Sequence, residues 1–481
     1  MKYGNLKMWI GGEWVDAVSG QTFTTKNVTT GEDLGSVPLA DTADADRAVA
    51  AAKAAFPVWS RKTVAERSRI LSKIADEIRR RGEEFMELDA LEHGMPKHLA
   101  DAPDVIAASG NFEAAAAFCR HLTGTVIPSK RGTMYCLTKV PVGVCALITP
   151  WNLPFFLMAQ KVALSLAAGC TSVLKAPSIN AVTSVKFAEL LDSIEELPKG
   201  AVNVITGPGS TIGTYLASHK DIDCVGFTGS TETGVDIMKA AAPTLKKLTM
   251  ELGGKNPAIV FPDANLDLAV KTLSHHQFNN CGQACGSPGR IYVHEDCYDR
   301  FLEKYAAACK VFADGLGDPM LPTTRMGPLV SGSHYRKVTS YIEYGIEDGA
   351  TLFIDGRTDK PNFVGPTVFT DVTPGMRIYR DEIFGPVSVI VKWKDEDEVM
   401  DLATDNVYGL TASIWSTNIA HALKLGERFQ VGTFSINCHN NVSPEAPWGG
   451  VRQSGIGQKE GGYEGILGYM DDKLITISLD E

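Results

Sequence analysis

The stretch VCALITPWNLPFFLMAQKVALSLAAGCTSVLKA, residues 144–176, has the pattern of a strand, a helix and a second strand. Its two ends are short runs rich in β-branched residues, and a longer apolar segment lies between them. The same alternation continues through AVNVITG (201–207), IDCVGFTGS (222–230) and KKLTMEL (246–252). Repeated alternation of strands and helices favours a parallel sheet, in which ligands bind at the carboxyl ends of the strands. We therefore predict an α/β fold.

Composition limits the class of protein and its partners. The chain has 481 residues, of which 44% are hydrophobic and 21% charged, which suits two or three domains with buried cores. The net charge of −11 argues against nucleic acid or an acidic membrane surface as the main partner. The 10 cysteines are scattered without paired spacings, which indicates a reduced, cytoplasmic protein. We expect no signal peptide, and the apolar segment 153–170 is too short and too polar at its middle to span a bilayer.

The flanking regions predict further helices and strands. Residues 42–60 predict a helix that begins at a Thr or Asp cap. Residues 63–94 predict one amphipathic helix, which Gly94 and Pro96 stop. Its apolar face carries Ile70, Leu71, Ile74 and Ile78. A second α/β section begins near residues 253–254, and the final segment 468–481 predicts a lone strand that pairs elsewhere in the chain or with another subunit.

Two glycine-containing segments could hold a cofactor. NVITGPGSTIG (203–213) follows a predicted strand, but it is one residue longer than the dinucleotide fingerprint. FTGSTETG (227–234) places Gly229 and Gly234 around a helix start, where free amides suit a pyrophosphate. Turn-forming glycines would look the same, so these residues alone leave both interpretations open.

FNNCGQACGSPGR (278–290) holds two cysteines, Cys281 and Cys285, whose chemistry the local pattern leaves open. A zinc site needs a second Cys/His pair, which is absent from the sequence, and a redox pair usually has the spacing C-x-x-C. A nucleophile needs a base and an oxyanion donor. Glu251 and Asn152, each at the end of a predicted strand, could supply them, although singly each could be an ordinary loop residue.

Six segments taken together resemble the aldehyde dehydrogenase superfamily, along essentially the whole chain. In the family's order they are WIGGEWVDAVSG (9–20), TPWNLP (149–154), ELGGKNP (251–257), FNNCGQAC (278–285), EIFGPV (382–387) and PWGGVRQSGIG (447–457). The separation of 34 positions between Glu251 and Cys285 also agrees with the family. The resemblance implies a Rossmann-like doubly wound cofactor domain (1–122 and 143–253) and an α/β catalytic domain (254–453). It also implies a small β oligomerisation arm (123–142 and 454–481), and hence a homodimer or homotetramer.

The resemblance implies the catalytic roles residue by residue. Cys285 matches the nucleophile, and Cys281 falls at a variable position and is interpreted as a bystander. Glu251 matches the general base and Asn152 the side-chain oxyanion donor. Lys175, which belongs to both the catalytic and the cofactor sets, matches the lysine that contacts the adenosine ribose. The implied activity is NAD(P)-dependent oxidation of a small-molecule aldehyde to a carboxylic acid, of the hydrolytic, non-acylating type, with no metal.

The resemblance also implies which residues contact NAD or NADP. They are Thr149, Pro150, Trp151, Lys175, Ser178, Gly209, Gly229, Ser230, Gly234, Leu252, Glu382 and Phe384. Members that prefer NAD often have Glu at the position of Ser178, where a carboxylate would repel a ribose 2′-phosphate by roughly 1–4 kcal/mol. Ser178 therefore predicts that NADP is accepted, and leaves open which cofactor is preferred.

The expected aldehyde pocket is partly apolar. It consists of Leu153, Phe156, Leu157, Gln160, Ala284, Gly286 and Trp448. Betaine-aldehyde members cage a quaternary ammonium with several aromatic rings. Here Trp448 would be the single ring, because the other cage positions are Leu153, Gln160 and Asn279, so a medium-sized aliphatic or aromatic aldehyde is favoured.

Alternative functions make different demands on the same residues. A CoA-acylating semialdehyde dehydrogenase typically lacks the water-activating Glu, which is present here as Glu251. A cysteine hydrolase would need a His partner for Cys285, and a non-catalytic relative would be expected to lose Cys285 or Glu251. Arg452 and Lys459 stand where Lys and Glu are common, and the sequence gives no account of either.

Overall fold

The structure is a computed structural model that describes residues 1–479. It is a mixed α/β fold, as predicted, with strands in four sheets. In chain order the strands are β1 (Gly4–Asn5), β2 (Met8–Ile10), β3 (Glu13–Val15), β4 (Thr22–Lys26), β5 (Asp33–Pro38), β6 (Thr125–Lys130), β7 (Thr133–Pro141), β8 (Val144–Ile148), β9 (Thr171–Lys175), β10 (Val202–Ile205), β11 (Cys224–Thr228), β12 (Lys247–Glu251), β13 (Pro257–Val260), β14 (Arg290–His294), β15 (Thr351–Ile354), β16 (Thr367–Thr370), β17 (Val387–Trp393), β18 (Thr411–Trp415), β19 (Thr433–Ile436), β20 (Gly455–Ile456) and β21 (Met470–Ser478).

The helices cover the faces of the two large sheets. In chain order they are α1 (Thr42–Ser60), α2 (Val64–Arg80), α3 (Gly82–Glu92), α4 (Ala108–Phe118), α5 (Pro154–Ala168), α6 (Ala181–Asp192), α7 (Thr214–Ser218), α8 (Thr231–Ala241), α9 (Leu266–Phe278), α10 (Glu295–Asp314), α11 (Gly332–Glu347), α12 (Arg377–Arg380), α13 (Glu396–Thr404), α14 (Ile419–Gly426) and α15 (Gly462–Leu467). A π-helical segment, Asp101–Ala107, leads into α4.

The first large sheet has eight strands in the order β20-β12-β11-β8-β9-β10-β2-β3. Its five central strands, β12 to β10, are parallel, and the strands on either side of them are antiparallel. Helix α5 connects β8 to β9, as the stretch 144–176 predicts. Because β8, β11 and β12 are neighbours, their carboxyl ends meet at one edge of the sheet.

The second large sheet has seven strands in the order β15-β16-β17-β14-β13-β18-β19, and all but β15 are parallel. Its core is a continuous apolar cluster that includes Ile259, Tyr292 and Val389, each fully buried. The chain passes from the first sheet to the second between Glu251 and Pro257, through two glycines. The exact division into domains stays a prediction.

The terminal strand β21 finds its partner within the chain. It pairs antiparallel with β7 along its whole length, from Met470 opposite Pro141 to Ser478 opposite Thr133, and β7 also pairs with β6. Apolar side chains of this three-stranded sheet are exposed, among them Val126, Leu474 and Ile477. Oligomerisation through this sheet stays a prediction, and the last two residues of the predicted arm, 480 and 481, lie outside the described residues.

One prediction in the helical region is wrong. Residues 63–94 form two helices, α2 and α3, instead of one, because Arg81 leaves helical geometry (φ −100°, ψ 12°). Gly82, the first residue of α3, packs closely against Val105, since a β-carbon on Gly82 would lie 2.8 Å from the Val105 side chain. The predicted apolar face of α2 is buried, and Asp41 is the cap of α1.

Across residues 1–479, every helix is too short or too polar to cross a membrane. The cytoplasmic location stays a prediction.

Candidate active site

The carboxyl ends of β8, β11 and β12 line one cavity of about 450 Å³. Asn152 follows β8, Gly229 follows β11, and Glu251 ends β12. Cys285 comes from the other sheet, in the loop before β14, and lines the same cavity. The fold therefore brings the predicted nucleophile, base and oxyanion donor together.

The loop before Cys285 has an unusual backbone. Asn280 and Cys281 both have φ of 54°, and Gly282 has φ of 68°. Left-handed geometry costs roughly 1–3 kcal/mol for a non-glycine residue, so the surroundings must hold it in place. The Asn280 amide does so by donating to the Asn152 carbonyl at 2.8 Å. A β-carbon on Gly282 would lie 2.2 Å from the Gly385 carbonyl oxygen, which requires glycine there.

This backbone turns the two cysteines to different environments. The Cys281 side chain is 2% exposed, lies in the core of the second sheet, and has its Sγ 3.2 Å from the Gly327 carbonyl oxygen. Cys285 is half-buried and lines the cavity. This arrangement favours Cys285 as the nucleophile and Cys281 as the bystander.

The backbone of Cys285 is held by Asn256, in the segment that joins the two sheets. The Asn256 amide donates to the carbonyls of Cys285 and Ser287, each at 2.8 Å. Burial first, and then the charges of Glu382 and Glu251, raise the pKa of the Cys285 thiol to about 12. The thiol is therefore neutral at rest and needs help to ionise.

Asn152, the predicted oxyanion donor, is held in a fixed position beside the loop of Cys285. Its side chain is buried, and its amide nitrogen donates one hydrogen bond to the Gln283 carbonyl at 3.0 Å. Because an amide nitrogen carries two N–H groups, the second remains for a ligand in the cavity. The first bond and the bond from Asn280 fix the side chain and backbone of Asn152 against the loop of Cys285.

Glu251 occupies a niche made by two glycines. Its Oε2 accepts a hydrogen bond from the Gly450 N–H at 2.9 Å, and a β-carbon on Gly449 would lie 1.9 Å from its Oε1. Burial first, and then the charge of Glu460, raises the pKa of Glu251 well above its usual value. A carboxyl group in this state is a stronger base once it loses its proton.

Glu460 and Lys161 form a buried ion pair beside Glu251, which the sequence did not predict. Both are almost fully buried, and Glu460 also exchanges two backbone hydrogen bonds with Trp448, at 2.7 and 2.9 Å. The neighbouring Lys459 instead bonds the Gly432 carbonyl. This contact gives a structural account of Lys459, whereas nothing in the structure explains Arg452.

Most of the predicted cofactor residues lie at this edge of the first sheet, and seven of them line the cavity itself. These are Pro150, Trp151, Gly229, Ser230, Leu252, Glu382 and Phe384. Ser230 caps α8 by accepting from the Thr233 N–H at 3.2 Å. The Gly254 N–H donates to Glu382 at 2.9 Å, and the Phe384 ring packs edge-on against Trp151.

The other predicted cofactor residues lie outside the cavity lining. Thr149 directly follows β8, and Lys175 ends the neighbouring strand β9. A β-carbon on Gly209 would lie 3.5 Å from Lys175 Nζ. Ser178 is half-buried, and its hydroxyl donates to the Gly207 carbonyl at 2.9 Å. Gly234 packs against Leu252, whose Cδ2 would lie 2.6 Å from an added β-carbon.

Three polar groups at this edge suit a polar ligand such as a dinucleotide. The hydroxyls of Thr149 and Thr228 are buried and have no hydrogen-bond partner within residues 1–479. Lys175 is 4% exposed, and burial lowers its pKa to about 8. Together with the free amides at the start of α8, these groups fit the cofactor that the resemblance implies.

All seven residues predicted for the aldehyde pocket line the cavity, whereas Asn279 does not. The sequence analysis missed further lining residues, which come from several separate parts of the chain. They are Pro103, Ala107, Asn111, Thr228, Gly253, His334, Lys337, Asn440, Val442, Ser443, Pro444, Ala446 and Glu460. A local signal existed for Asn440, which stands in the same loop as Trp448 and accepts its indole N–H at 2.8 Å.

Comparisons with known proteins agree with this geometry. The model of the aldehyde dehydrogenase family matches residues 14–475. An aldehyde dehydrogenase of Enchytraeus buchholzi is 40% identical, over 99% of this chain and 96% of the relative.

Solved structures are similar in fold as well as in sequence. The NAD⁺ complex of an aldehyde dehydrogenase from Bacillus cereus has a TM-score of 0.96 and 37% identity, over 99% of this chain and 97% of that one. An NADP-dependent enzyme of E. coli has a TM-score of 0.95 and 33% identity, over 98% of both chains. With the family model matched along nearly its whole length, this chain belongs to the aldehyde dehydrogenase family.

Proposed function

We propose that the protein oxidises an aldehyde to a carboxylic acid with NAD or NADP, through a thioester of Cys285 that water hydrolyses. The observation that carries this proposal is the single cavity that Cys285, Asn152 and Glu251 share with Ser230, Glu382 and Phe384. Membership of the family supports the aldehyde as substrate and the nicotinamide cofactor as oxidant.

In the first half of the reaction, the Cys285 thiol releases its proton to water, and the sulfur then forms a bond to the aldehyde carbon. The carbonyl oxygen becomes an oxyanion, which accepts hydrogen bonds from the Asn152 amide and the Cys285 N–H. When bound, the oxidised nicotinamide supplies a positive charge, which favours the thiolate. It also supplies the carbon that accepts the hydride. As the oxyanion collapses, the C–H bond breaks and a thioester remains on Cys285.

In the second half, Glu251 takes a proton from a water molecule that attacks the thioester. The C–S bond breaks, the acid leaves and Cys285 is restored. The balance is one aldehyde, one oxidised cofactor and one water giving one carboxylate, one reduced cofactor and two protons. Glu251, buried in its glycine niche, lines the same cavity as Cys285, which supports this role.

A screen of aldehydes with NAD and NADP, in which reduced cofactor and carboxylate are both quantified, tests the proposal. Equal amounts of the two products without added CoA are expected. Formation of reduced cofactor that depends strictly on CoA would show an acylating enzyme instead, and absence of turnover with all aldehydes would contradict the proposal.

Removing the Asn152 amide tests the oxyanion assignment. Asn152→Ala is expected to lower kcat by about 10²–10³-fold, because one preorganised donor is lost. Steady-state kinetics measures the change, and the melting temperature shows whether the loss of the bond to Gln283 has damaged the fold. A kcat within about threefold of the wild type would remove Asn152 from the oxyanion site.

The Ser178 position tests cofactor choice. The wild type is expected to use NADP, and Ser178→Glu to lower kcat/KM with NADP by roughly 5- to 1000-fold, since a carboxylate repels the 2′-phosphate by about 1–4 kcal/mol. The matched control is Ser178→Gln, which introduces a side chain of the same size as Glu but without its charge. A wild-type preference for NAD of roughly 100-fold or more would contradict the prediction.

A further inference from the structure

Two buried amide side chains of the cavity wall form no hydrogen bond with the rest of the protein. Asn111 lies in α4 and Gln160 in the adjacent α5, and each is only 5% exposed. Within residues 1–479, neither amide has a donor or acceptor on another residue, and the Asn111 nitrogen is buried without any partner. Buried polar groups are normally paired, so these two need a partner from the cavity.

A third amide, that of Asn440, lines the same cavity. The Asn440 oxygen accepts the Trp448 indole N–H, which fixes the side chain and leaves its NH₂ group against Gly286, next to Cys285. That NH₂ group donates to no other residue in the described part of the chain. The cavity lining also contains several apolar residues, namely Pro103, Ala107, Leu153, Phe156, Leu157 and Val442.

The charges around this wall disfavour a negatively charged substrate tail. Glu460 is paired with Lys161, and Glu251 is held by the Gly450 N–H. Lys337, the one lysine that lines the cavity within residues 1–479, lies on α11, where its charge acts on Glu382 at the predicted cofactor side. A second carboxylate on the substrate would therefore meet Glu251 and Glu460 rather than a free cation.

We propose that Asn111, Gln160 and Asn440 select aldehydes that carry a neutral hydrogen-bonding group, such as a hydroxyl, away from the carbonyl. The inference rests on the proposed function and specifies its substrate class. A hydroxyl can donate and accept, as can an amide, so the two match each other. An apolar tail would instead cover the amides and leave them unpaired, which weakens binding and turnover.

Three para-substituted benzaldehydes of similar shape test the proposal on the wild-type enzyme. 4-(Hydroxymethyl)benzaldehyde carries the neutral hydroxyl, 4-ethylbenzaldehyde replaces it by a methyl group, and 4-formylbenzoate carries a carboxylate. We expect kcat/KM to be at least about 10-fold higher for the hydroxymethyl compound than for either of the others. Equal values within about threefold, or a preference for the ethyl or the carboxylate compound, would overturn the proposal.

Variants assign the preference to particular residues. Gln160→Leu and Asn111→Leu replace each amide by an apolar side chain of similar size, and each is expected to reduce the ratio of kcat/KM between the hydroxymethyl and ethyl compounds by about 10-fold. Gln21→Leu, which makes the same kind of change at an exposed position outside the cavity lining, is the control and should leave the ratio unchanged. An unchanged ratio in both wall variants would remove these residues from recognition.

A binding measurement separates this inference from the proposed function. Calorimetric titration of the Cys285→Ala protein with the three aldehydes gives dissociation constants that do not depend on turnover. We expect the hydroxymethyl compound to bind at least about 10-fold more tightly than the ethyl compound. This result without wild-type turnover would contradict the proposed function alone, whereas turnover without the binding preference would contradict the substrate class alone.

Discussion

Cys285→Ala is expected to abolish aldehyde oxidation, lowering kcat by about 10⁴-fold or more, because loss of a covalent nucleophile removes the whole reaction path. The geometry gives the reason: Cys285 is the cysteine of this loop that lines the cavity, and Asn256 fixes its carbonyl. Cofactor binding should persist, since Glu382, Gly229 and Ser230 are untouched. The measurement is the steady-state rate of cofactor reduction, together with the affinity for NAD and NADP.

Cys281→Ala is the matched control for this experiment. The Cys281 sulfur is buried in the core of the second sheet, so its removal is expected to cost roughly 1 kcal/mol of stability and to leave kcat within about threefold of the wild type. Mass spectrometry after reaction with an aldehyde should find the acyl group on Cys285. An inactive Cys281→Ala protein beside an active Cys285→Ala protein would overturn the assignment of the nucleophile.

Glu251→Gln is expected to stop the reaction after hydride transfer. Formation of the thioester needs Cys285 and Asn152, but hydrolysis needs a base, so the steady-state rate should fall by about 10²–10⁴-fold. Rapid mixing should then show a burst of about one reduced cofactor per active site, followed by little further turnover. Glu427→Gln, at an exposed position, is the control and should behave as the wild type.

The pH dependence of hydrolysis gives the same assignment a second test. Burial and the charge of Glu460 raise the pKa of Glu251, so the carboxyl stays protonated, and inactive as a base, to a higher pH than an exposed glutamate. The rate of hydrolysis should therefore rise with pH, over a range above the one in which an exposed glutamate titrates, and this rise should disappear in Glu251→Gln. A wild-type rate that is flat from pH ~5 to ~9 would contradict this role of Glu251.

The fold could be predicted from the sequence where a pattern was regular. The β-branched runs from residue 144 onward predicted β8 to β12 and the helices between them, because strand alternation with amphipathic helices is a strong signal. The division of residues 63–94 into α2 and α3 was missed, and Gly82, the first residue of α3, packs against Val105 from a different part of the chain. Local patterns carry no information on such tertiary contacts.

For the candidate site, motifs and tertiary contacts contributed different residues. The strand ends gave Asn152 and Glu251, and the family motifs added Cys285, Glu382 and Phe384. Asn111 and His334 were missed, because each belongs to a helix whose sequence gives no sign of which face meets the cavity. The partner of Glu251 is Gly450, far away in the chain, so the reason for the glycines at 449 and 450 emerges only from the structure.

Within the described residues, the side-chain amides of Asn111 and Gln160 have no hydrogen-bond partner in the protein. This also affects how such an enzyme can change the aldehyde that it accepts. The groups that hold the nucleophile form hydrogen bonds around its loop, so a change in any of them disturbs the chemistry. Asn280 donates to Asn152, Asn152 donates to Gln283, and Asn256 donates to Cys285 itself. Residues 111 and 160 can be exchanged without breaking a bond of that network. Evolution, or a designer, can therefore retune the aldehyde at the α4–α5 wall while the reacting centre stays as it is.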